Sequence, residues 1–322
     1  MKTITISPDE DGVRIDRILR KSLPKTPLSS IYRFIRKGII RLNGRRFKQN
    51  HRVKTGDTIV IKVREDDLLP DKKHETEKVA SLVHTDFFCD NFNVIYEDEA
   101  LLVCNKPAGI VVHSGTGHVN HETLIDCAMS YIRQKAKKGA CGEPVLVHRL
   151  DRDTSGVIVI AKNKQALRKL HHYLWRHDFE KRYIALCHGY PPDKKGTIDL
   201  SLVRTHERNR GMKVRVGNGG QHSLSRYRVL KTQKKVSQIN IELYTGRTHQ
   251  IRVHMAHIGC PVIGDVRYGN KELDALLFQN PVLFRRLYLH AGQISFRHPV
   301  LDRKVTFTAP LPDAFTKLLN AC

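Results

Sequence analysis

Two carboxylates and two guanidiniums fall within five consecutive positions, Arg149-Leu150-Asp151-Arg152-Asp153, with His148 before them and Thr154-Ser155-Gly156 after. A carboxylate set among cations can act as a nucleophile or as an electrostatic partner. The same residue types also build surface turns with local ion pairs, and the stretch alone leaves both readings open. A second group of reactive types is Gly246-Arg247-Thr248-His249-Gln250-Ile251-Arg252-Val253-His254. Its histidines, with His257, invite metal ligation. Their spacing is not that of a His-Glu-x-x-His site and no carboxylate or thiolate stands among them, so no metal is expected. Arg252 is more informative. Flanked by Ile251 and Val253, it needs a partner, because a buried charge is costly unless paired; Asp151 is a candidate.

The elements around these residues must hold them in place. Val157 to Ala161 is a β-branched run and reads as a strand, with Asp151 just before it and Asp153-Thr154-Ser155-Gly156 as turn chemistry. Leu101 to Cys104 reads as a buried strand stopped by Lys106-Pro107-Ala108-Gly109, and Ile110 to His113 as a second strand. The Gly-rich Ser114-Gly115-Thr116-Gly117-His118 that follows lacks the Gly-Lys-Ser/Thr ending of a phosphate loop, so no nucleotide site is expected. Lys164 to Phe179 is helix-like, with Leu167, Leu170, Leu174 and Phe179 as its apolar stripe. Lys181 to Leu186 alternates as a strand. Seven scattered cysteines, never closer than 14 residues, argue against a disulfide framework or a zinc knuckle and read as core thiols.

Charge gives the partner class. The chain has 322 residues with 56 Lys and Arg against 32 Asp and Glu, a formal +24, which favours a polyanion such as nucleic acid. Between Gly12 and Arg64, 16 basic residues face two acids, Asp16 and Asp57, so more than half of the net charge sits on a sixth of the chain. That segment has its own periodicity. Ile15, Ile18, Leu19 and Leu23 are spaced as one face of a helix ended by Pro24 and Pro27. A second helix starts at Ser29 or Ser30 as N-cap, buries Ile31, Phe34 and Ile35, and stops at Gly38. Ile39 to Leu42, the Asn43-Gly44 hairpin signal and Ile59, Ile61 and Val63 suggest a small sheet. The segment Arg204 to His222, with five cations between turn residues, is either a basic hairpin over RNA or a solvated loop. No run is apolar enough for a transmembrane helix or a signal peptide, so a cytoplasmic location is expected.

Residues 12 to 63 resemble the small RNA-binding domain named after a ribosomal small-subunit protein, the αL motif, through Gly12-Val13-Arg14-Ile15-Asp16, Ile35-Arg36-Lys37-Gly38, Leu42-Asn43-Gly44 and Val53-Lys54-Thr55-Gly56-Asp57. The module has Leu28-Ser29-Ser30 where many relatives carry a Ser-Arg pair. Four further blocks, Asn105-Lys106-Pro107-Ala108-Gly109, His148-Arg149-Leu150-Asp151, Lys181-Arg182-Tyr183 and Gly246 to Arg252, resemble the signatures of the RluA family of pseudouridine synthases. Their order, with Tyr183 32 residues and Arg252 101 residues beyond Asp151, makes the resemblance specific. The Tyr32 to Gly38 helix and Asp265-Val266-Arg267-Tyr268-Gly269 are most similar to the RluC type, which modifies large-subunit (23S) ribosomal RNA.

The resemblance implies an α+β fold: a mixed, largely antiparallel sheet flanked by helices and loops over 92–322, an αL-type module over 1–75, and a linker over 76–91. It implies an RNA pseudouridine synthase in which Asp151 is the nucleophile on a flipped-out uridine, Arg252 pairs with Asp151, and Tyr183 stacks on the uracil and takes part in proton transfer. Arg149 is the residue to fill the space the uridine leaves, and Asp153 serves the turn. Ile251 and Leu289 form either an apolar wall of the pocket or ordinary core. Arg33, Arg36, Lys37, Arg41 and Arg45 are the RNA contacts of the module. The partner is large-subunit ribosomal RNA or its precursor, with no cofactor, no metal and no membrane, and the chain acts as a monomer. The competing readings are a related synthase acting on other ribosomal or transfer RNA uridines, and a ribosome-assembly factor that binds RNA without chemistry.

Overall fold

The computed structural model of the chain describes residues 2–23, 26, 28–62, 92–113, 123–135, 143–207, 211–280, 283 and 285–322. They form two compact units, one ending at Lys62 and one from Phe92 onward. The expected linker, the Gly-rich loop from Ser114, and Arg208 and Arg210 lie outside the described residues.

In the N-terminal unit, strand β1 (Lys2–Thr5), helices α1 (Ile15–Ser22) and α2 (Leu28–Lys37), and strands β2 (Ile40–Leu42) and β3 (Thr58–Ile61) follow in order. The sheet order is β1-β3-β2, all antiparallel. The apolar stripe Ile15, Ile18 and Leu19 is buried against Ile31, Phe34, Ile35, Ile40 and Ile59. Helix α2 begins at Leu28, so Ser29 and Ser30 stand in its first turn, not at its cap; a turn in which the Thr26 amide bonds the Leu23 carbonyl brings the chain round early. Gly38, at φ +73°, ends it as expected: its amide bonds the Ile35 carbonyl and that of Ile39 bonds Phe34, which closes the last turn. Asn43 and Gly44 both have positive φ, the turn type that Asn-Gly favours, and the Asn43 side chain bonds Asp57 and the Thr58 amide.

The larger unit is one mixed sheet with helices packed on it. In chain order it contains β4 (Val94–Glu97), β5 (Leu101–Lys106), α3 (Leu124–Lys135), β6 (Val145–Leu146), β7 (Ser155–Ala161), α4 (Lys164–Trp175), β8 (Glu180–His188), β9 (Lys195–Glu207), β10 (Gly211–Val216), β11 (Gln221–Gln233), β12 (Val236–Leu243), α5 (Gln250–His257), α6 (Lys271–Leu277), β13 (Leu289–Arg297), β14 (Lys304–Thr308) and α7 (Asp313–Ala321). The strand order is β10-β9-β11-β12-β8-β13-β7-β5-β4, with β14 on β13 and β6 on β7; the pairing of β13 with β7 is parallel and the other pairings are antiparallel. The α+β class and the largely antiparallel sheet hold. No helix among the described residues is long and apolar enough to cross a membrane.

Local departures have identifiable causes. Ile110 to His113 is not a strand: the Val111 and Val112 carbonyls accept the amides of Leu124 and Ile125 at the start of α3, so the segment caps a helix instead of pairing in the sheet. Helix α4 stops at Trp175 because His177 turns to φ +60° and the Asp178 amide reaches back to Tyr173; Phe179 then stacks on Phe296 at 4.8 Å. Of the two readings of Arg204 to His222, a hairpin or a solvated loop, the strands favour the hairpin, since β9 pairs antiparallel with β10. Gly156, at φ +120°, sits within β7, and a Cβ there would lie 2.2 Å from the Ala291 carbonyl oxygen. Its role is therefore close approach of two parallel strands, while the turn before it spans Asp151 to Thr154. Cys104, Cys187 and Cys260 are buried free thiols and Cys322 is a half-buried one, whereas Cys127 is disulfide-bonded, against the reading of all seven as core thiols.

Candidate active site

Asp151 opens the turn that leads into β7, whose residues are all buried, so its backbone stands on a rigid edge. A lysine fixes this turn from behind. Lys106, fully buried at the end of β5, donates to the carbonyls of Pro107, Ile110 and Arg152 at 2.8 to 2.9 Å, and the Gly109 amide also reaches Arg152. Burial pulls the Lys106 ammonium down to about 7, against the charges of Asp153 and Asp151. Only the protonated form has three donors for three carbonyls.

Arg252 enters from α5, almost wholly buried. Its Nη1 donates to Asp151 Oδ2 at 3.0 Å, as the flanking residues led one to expect. Its principal partner is another acid. Nε and Nη2 form a two-pronged pair with Asp265, at 2.7 and 2.8 Å, and Asp265 is 1% exposed. Burial works against both charges, but the Arg252 hydrogen bonds and charge hold the Asp265 carboxyl below the usual range, and Asp265 with Asp151 raises the guanidinium further. Asp265 also accepts the amides of Arg267 and Tyr268. The array is thus Asp151, Arg252 and Asp265 in line, with the Tyr268 ring 5.2 Å below the guanidinium.

His249 is the N-cap of α5 and has φ +55°. The Val214 amide donates to the Tyr268 hydroxyl, which lies 2.8 Å from His249 Nδ1, while His249 Nε2 is 3.9 Å from Asp151 Oδ2. Burial lowers the His249 pKa, with Asp151 opposing. Gln250 pins the preceding loop: its amide group reaches the Leu224 carbonyl and Ser225, and its oxygen accepts Thr245 and the Arg247 amide. His254 bonds Ser223, away from His249. The three histidines therefore do not converge.

Asp151, Arg252 and Tyr183 line a cavity of about 590 Å³ together with Arg149, Ile251 and Leu289, so six expected residues meet in one place. Asp151 keeps 21% of its side-chain surface exposed, while Tyr183 is 7% exposed. Burial, then the Asp151 charge, pushes the Tyr183 phenol up, so it is protonated at neutral pH. Arg149 is exposed; Ile251 and Leu289 are buried. Asp153 pairs with Arg152, outside the cavity. In the N-terminal unit Arg36, Lys37, Arg41 and Arg45 are exposed around the corner between α2 and β2, where Arg41 reaches the carbonyls of Gly38 and Gly44. Arg33 is half-buried beside the Phe34 ring.

Sequence reasoning missed Asp265 as a partner, although a lone acid directly after the apolar Val262-Ile263-Gly264 was a usable signal. It also missed the support by Lys106, which ends an apolar strand, and the place of His249, weighed only as a metal ligand.

Residues 100–257 match the family described as RNA pseudouridylate synthase, and residues 13–59 the S4 domain. The chain is 38% identical to ribosomal large subunit pseudouridine synthase C of Buchnera aphidicola subsp. Schizaphis graminum, over 98% of this chain and 96% of that one. The chain belongs to the RNA pseudouridylate synthase family. It is also 36% identical to the enzyme of the same name from Salmonella typhimurium, over 99% and 96% of the two chains. The fold is shared with human RNA pseudouridylate synthase domain containing 4, at a TM-score of 0.60 and 24% identity, over 74% of this chain and 97% of that one.

In this pseudouridine synthase one cation of the cavity has a lowered pKa. Lys181 lines the cavity, and burial pulls its pKa down to about 8. Its charge is present below that value and lost above it. The KM for RNA is expected to rise by about fivefold between pH 7 and 8.8, the loss of one charge contact to phosphate. Lys181→Arg should flatten the profile, because a guanidinium does not titrate there. Steady-state kinetics on both proteins checks this, and identical slopes would rule it out.

Proposed function

We propose that the chain isomerises uridines of large-subunit ribosomal RNA to pseudouridine, with Asp151 as the nucleophile. The observation that carries this reading is the composition of the cavity. Among the described residues lining it, Asp151 is the one carboxylate, set against Arg149, Lys181, Arg204, Arg247 and Arg252. Such a surround draws in a phosphodiester chain and leaves a single acid to react. The carboxylate bonds to C1′ or to the base, the N1–C1′ bond breaks, the uracil turns, and C5 bonds to C1′ as the bond to the carboxylate breaks and frees Asp151. C5 gives up its proton and N1 gains one. The product is an isomer of the substrate, so atoms and electrons balance without a co-substrate or cofactor.

Arg252, held by Asp265, orients the Asp151 carboxylate. Tyr183 stacks on the uracil and, entering protonated, serves as a proton donor within the pocket. Arg149 fills the gap left by the flipped nucleotide, a step that costs a few kcal/mol of stacking and pairing. Ile251 and Leu289 form the apolar wall. Residues 1–75 are the RNA-binding module, with Arg33, Arg36, Lys37, Arg41 and Arg45 as its contacts; 76–91 link it to a catalytic domain over 92–322. The relatives' printed name and this basic module support the large-subunit target, reached by a monomer in the cytoplasm. Pseudouridine mapping of large-subunit RNA from cells with and without the chain tests the reading. Specific positions should lose the modification and regain it with the wild-type gene, and an unchanged map would overturn the assignment.

A further inference from the structure

Trp175 is the single tryptophan of the chain, and at 79% exposure it is the most exposed large hydrophobic residue among those described. It ends α4 and lines the same cavity as Asp151. The fold gains little from it there: Leu170 faces the core, and Leu167 and Leu174 pack against it. The platform that carries the indole is nevertheless stiff. The Arg176 amide bonds the His172 carbonyl, and His177, turned to φ +60°, reaches the Tyr244 carbonyl at 2.8 Å through Nδ1, tying the helix end to the loop after β12.

The surroundings select the partner. Tyr244, the other aromatic at this end of the cavity, has its face covered by Arg226 at 4.8 Å, whereas the Trp175 ring makes one tilted contact, to His172 at 6.4 Å. Two cations of the cavity are held in place, Arg204 on the Thr248 hydroxyl and Arg247 on the His222 carbonyl. Tyr183 and Arg252 lie buried at the floor, so the exposed indole stands where a strand enters. A rigid open aromatic face that shares a cavity with fixed guanidiniums suits stacking of an unpaired base while its phosphates are neutralised.

We propose that Trp175 is a stacking platform for an unpaired nucleobase neighbouring the target uridine, holding the RNA strand at the cavity mouth. This rests on the ribosomal RNA synthase reading above. Because the chain has one tryptophan, its fluorescence reports on this position alone.

The test uses the full-length protein and an unmodified transcript of large-subunit ribosomal RNA. With Asp151→Asn protein, which holds RNA without turnover, binding should quench the indole emission and shield it from acrylamide. In the otherwise wild-type enzyme, Trp175→Ala should raise KM by about tenfold with little change in kcat. Trp175→Phe and Trp175→Tyr should stay within about threefold of wild type, and Trp175→Leu should behave like Ala. Unchanged emission, or a Leu variant as good as Phe, would overturn the stacking role while wild-type turnover persists. An Ala variant that keeps its KM but loses self-association would assign the indole to a protein contact instead. If the wild-type enzyme forms no pseudouridine in the transcript, the underlying function fails, and that outcome is distinct.

Discussion

Asp151→Asn is expected to lower pseudouridine formation by at least about 10⁴-fold, the scale of losing a covalent nucleophile, while RNA affinity stays within about threefold. The structure explains why the two should separate. An Asn side chain has the same shape, and its oxygen can still accept Arg252 Nη1, which now bonds Asp151 at 3.0 Å. The turn rests on the backbone bond from the Thr154 amide to the Asp151 carbonyl, which the substitution leaves in place. The cavity therefore keeps its form and its five cations. Single-turnover assays beside filter-binding measurements provide the comparison. Equal loss of both would remove Asp151 from the nucleophile role, and retained activity would favour an RNA-binding factor whose chemistry lies elsewhere.

Removing the Arg252 charge should cost stability as well as activity. In Arg252→Met, Asp265 loses a two-pronged partner while it stays walled in, with no side-chain exposure of its own. Breaking one side of a buried pair costs about 3–5 kcal/mol, to be read from urea unfolding of the larger unit at pH 7. Its pH dependence carries the sign. In the wild type the Asp265 pKa is depressed, so its stabilisation is present above the unfolded value and lost as pH falls through the folded one. In the variant, burial without a counter-charge raises that pKa, so stability should recover as pH falls from 7 toward 5. Activity should drop by at least about 100-fold, since Asp151 loses its orienting bond. Arg252→Lys keeps the charge and the fold but cannot serve both acids in fixed geometry, and it should lose activity with a smaller loss of stability. A variant with Met at 252 that is as stable as wild type at pH 7 would show that the pair contributes no net stability.

Much of this site was legible because it depends on local pattern. The β-branched run after the Asp151 turn forms β7, Tyr183 falls on an alternating strand, and an arginine between two apolar residues was bound to need a carboxylate. The N-terminal helices follow from apolar spacing, and their stop at Gly38 from the left-handed φ that glycine adopts without steric cost. Where local signals competed, the tertiary setting prevailed: Ile110 to His113 has strand composition, yet α3 takes its carbonyls.

The sequence by itself determined the family, the basic balance that calls for RNA, and the order of the reactive blocks. It could not choose among partners. Tertiary structure decided that Arg252 bonds Asp265 twice and Asp151 once, that Lys106 ties the loop after β5 to the Asp151 turn, and that Trp175 lines the same cavity as Asp151. The physical reason is that periodicity specifies which face of an element is buried, whereas the partner of a buried charge depends on which segments the sheet order makes neighbours. Here Gly156 lets β7 run parallel to β13, and that approach, between residues 135 positions apart, puts Leu289 and Tyr183 beside Asp151.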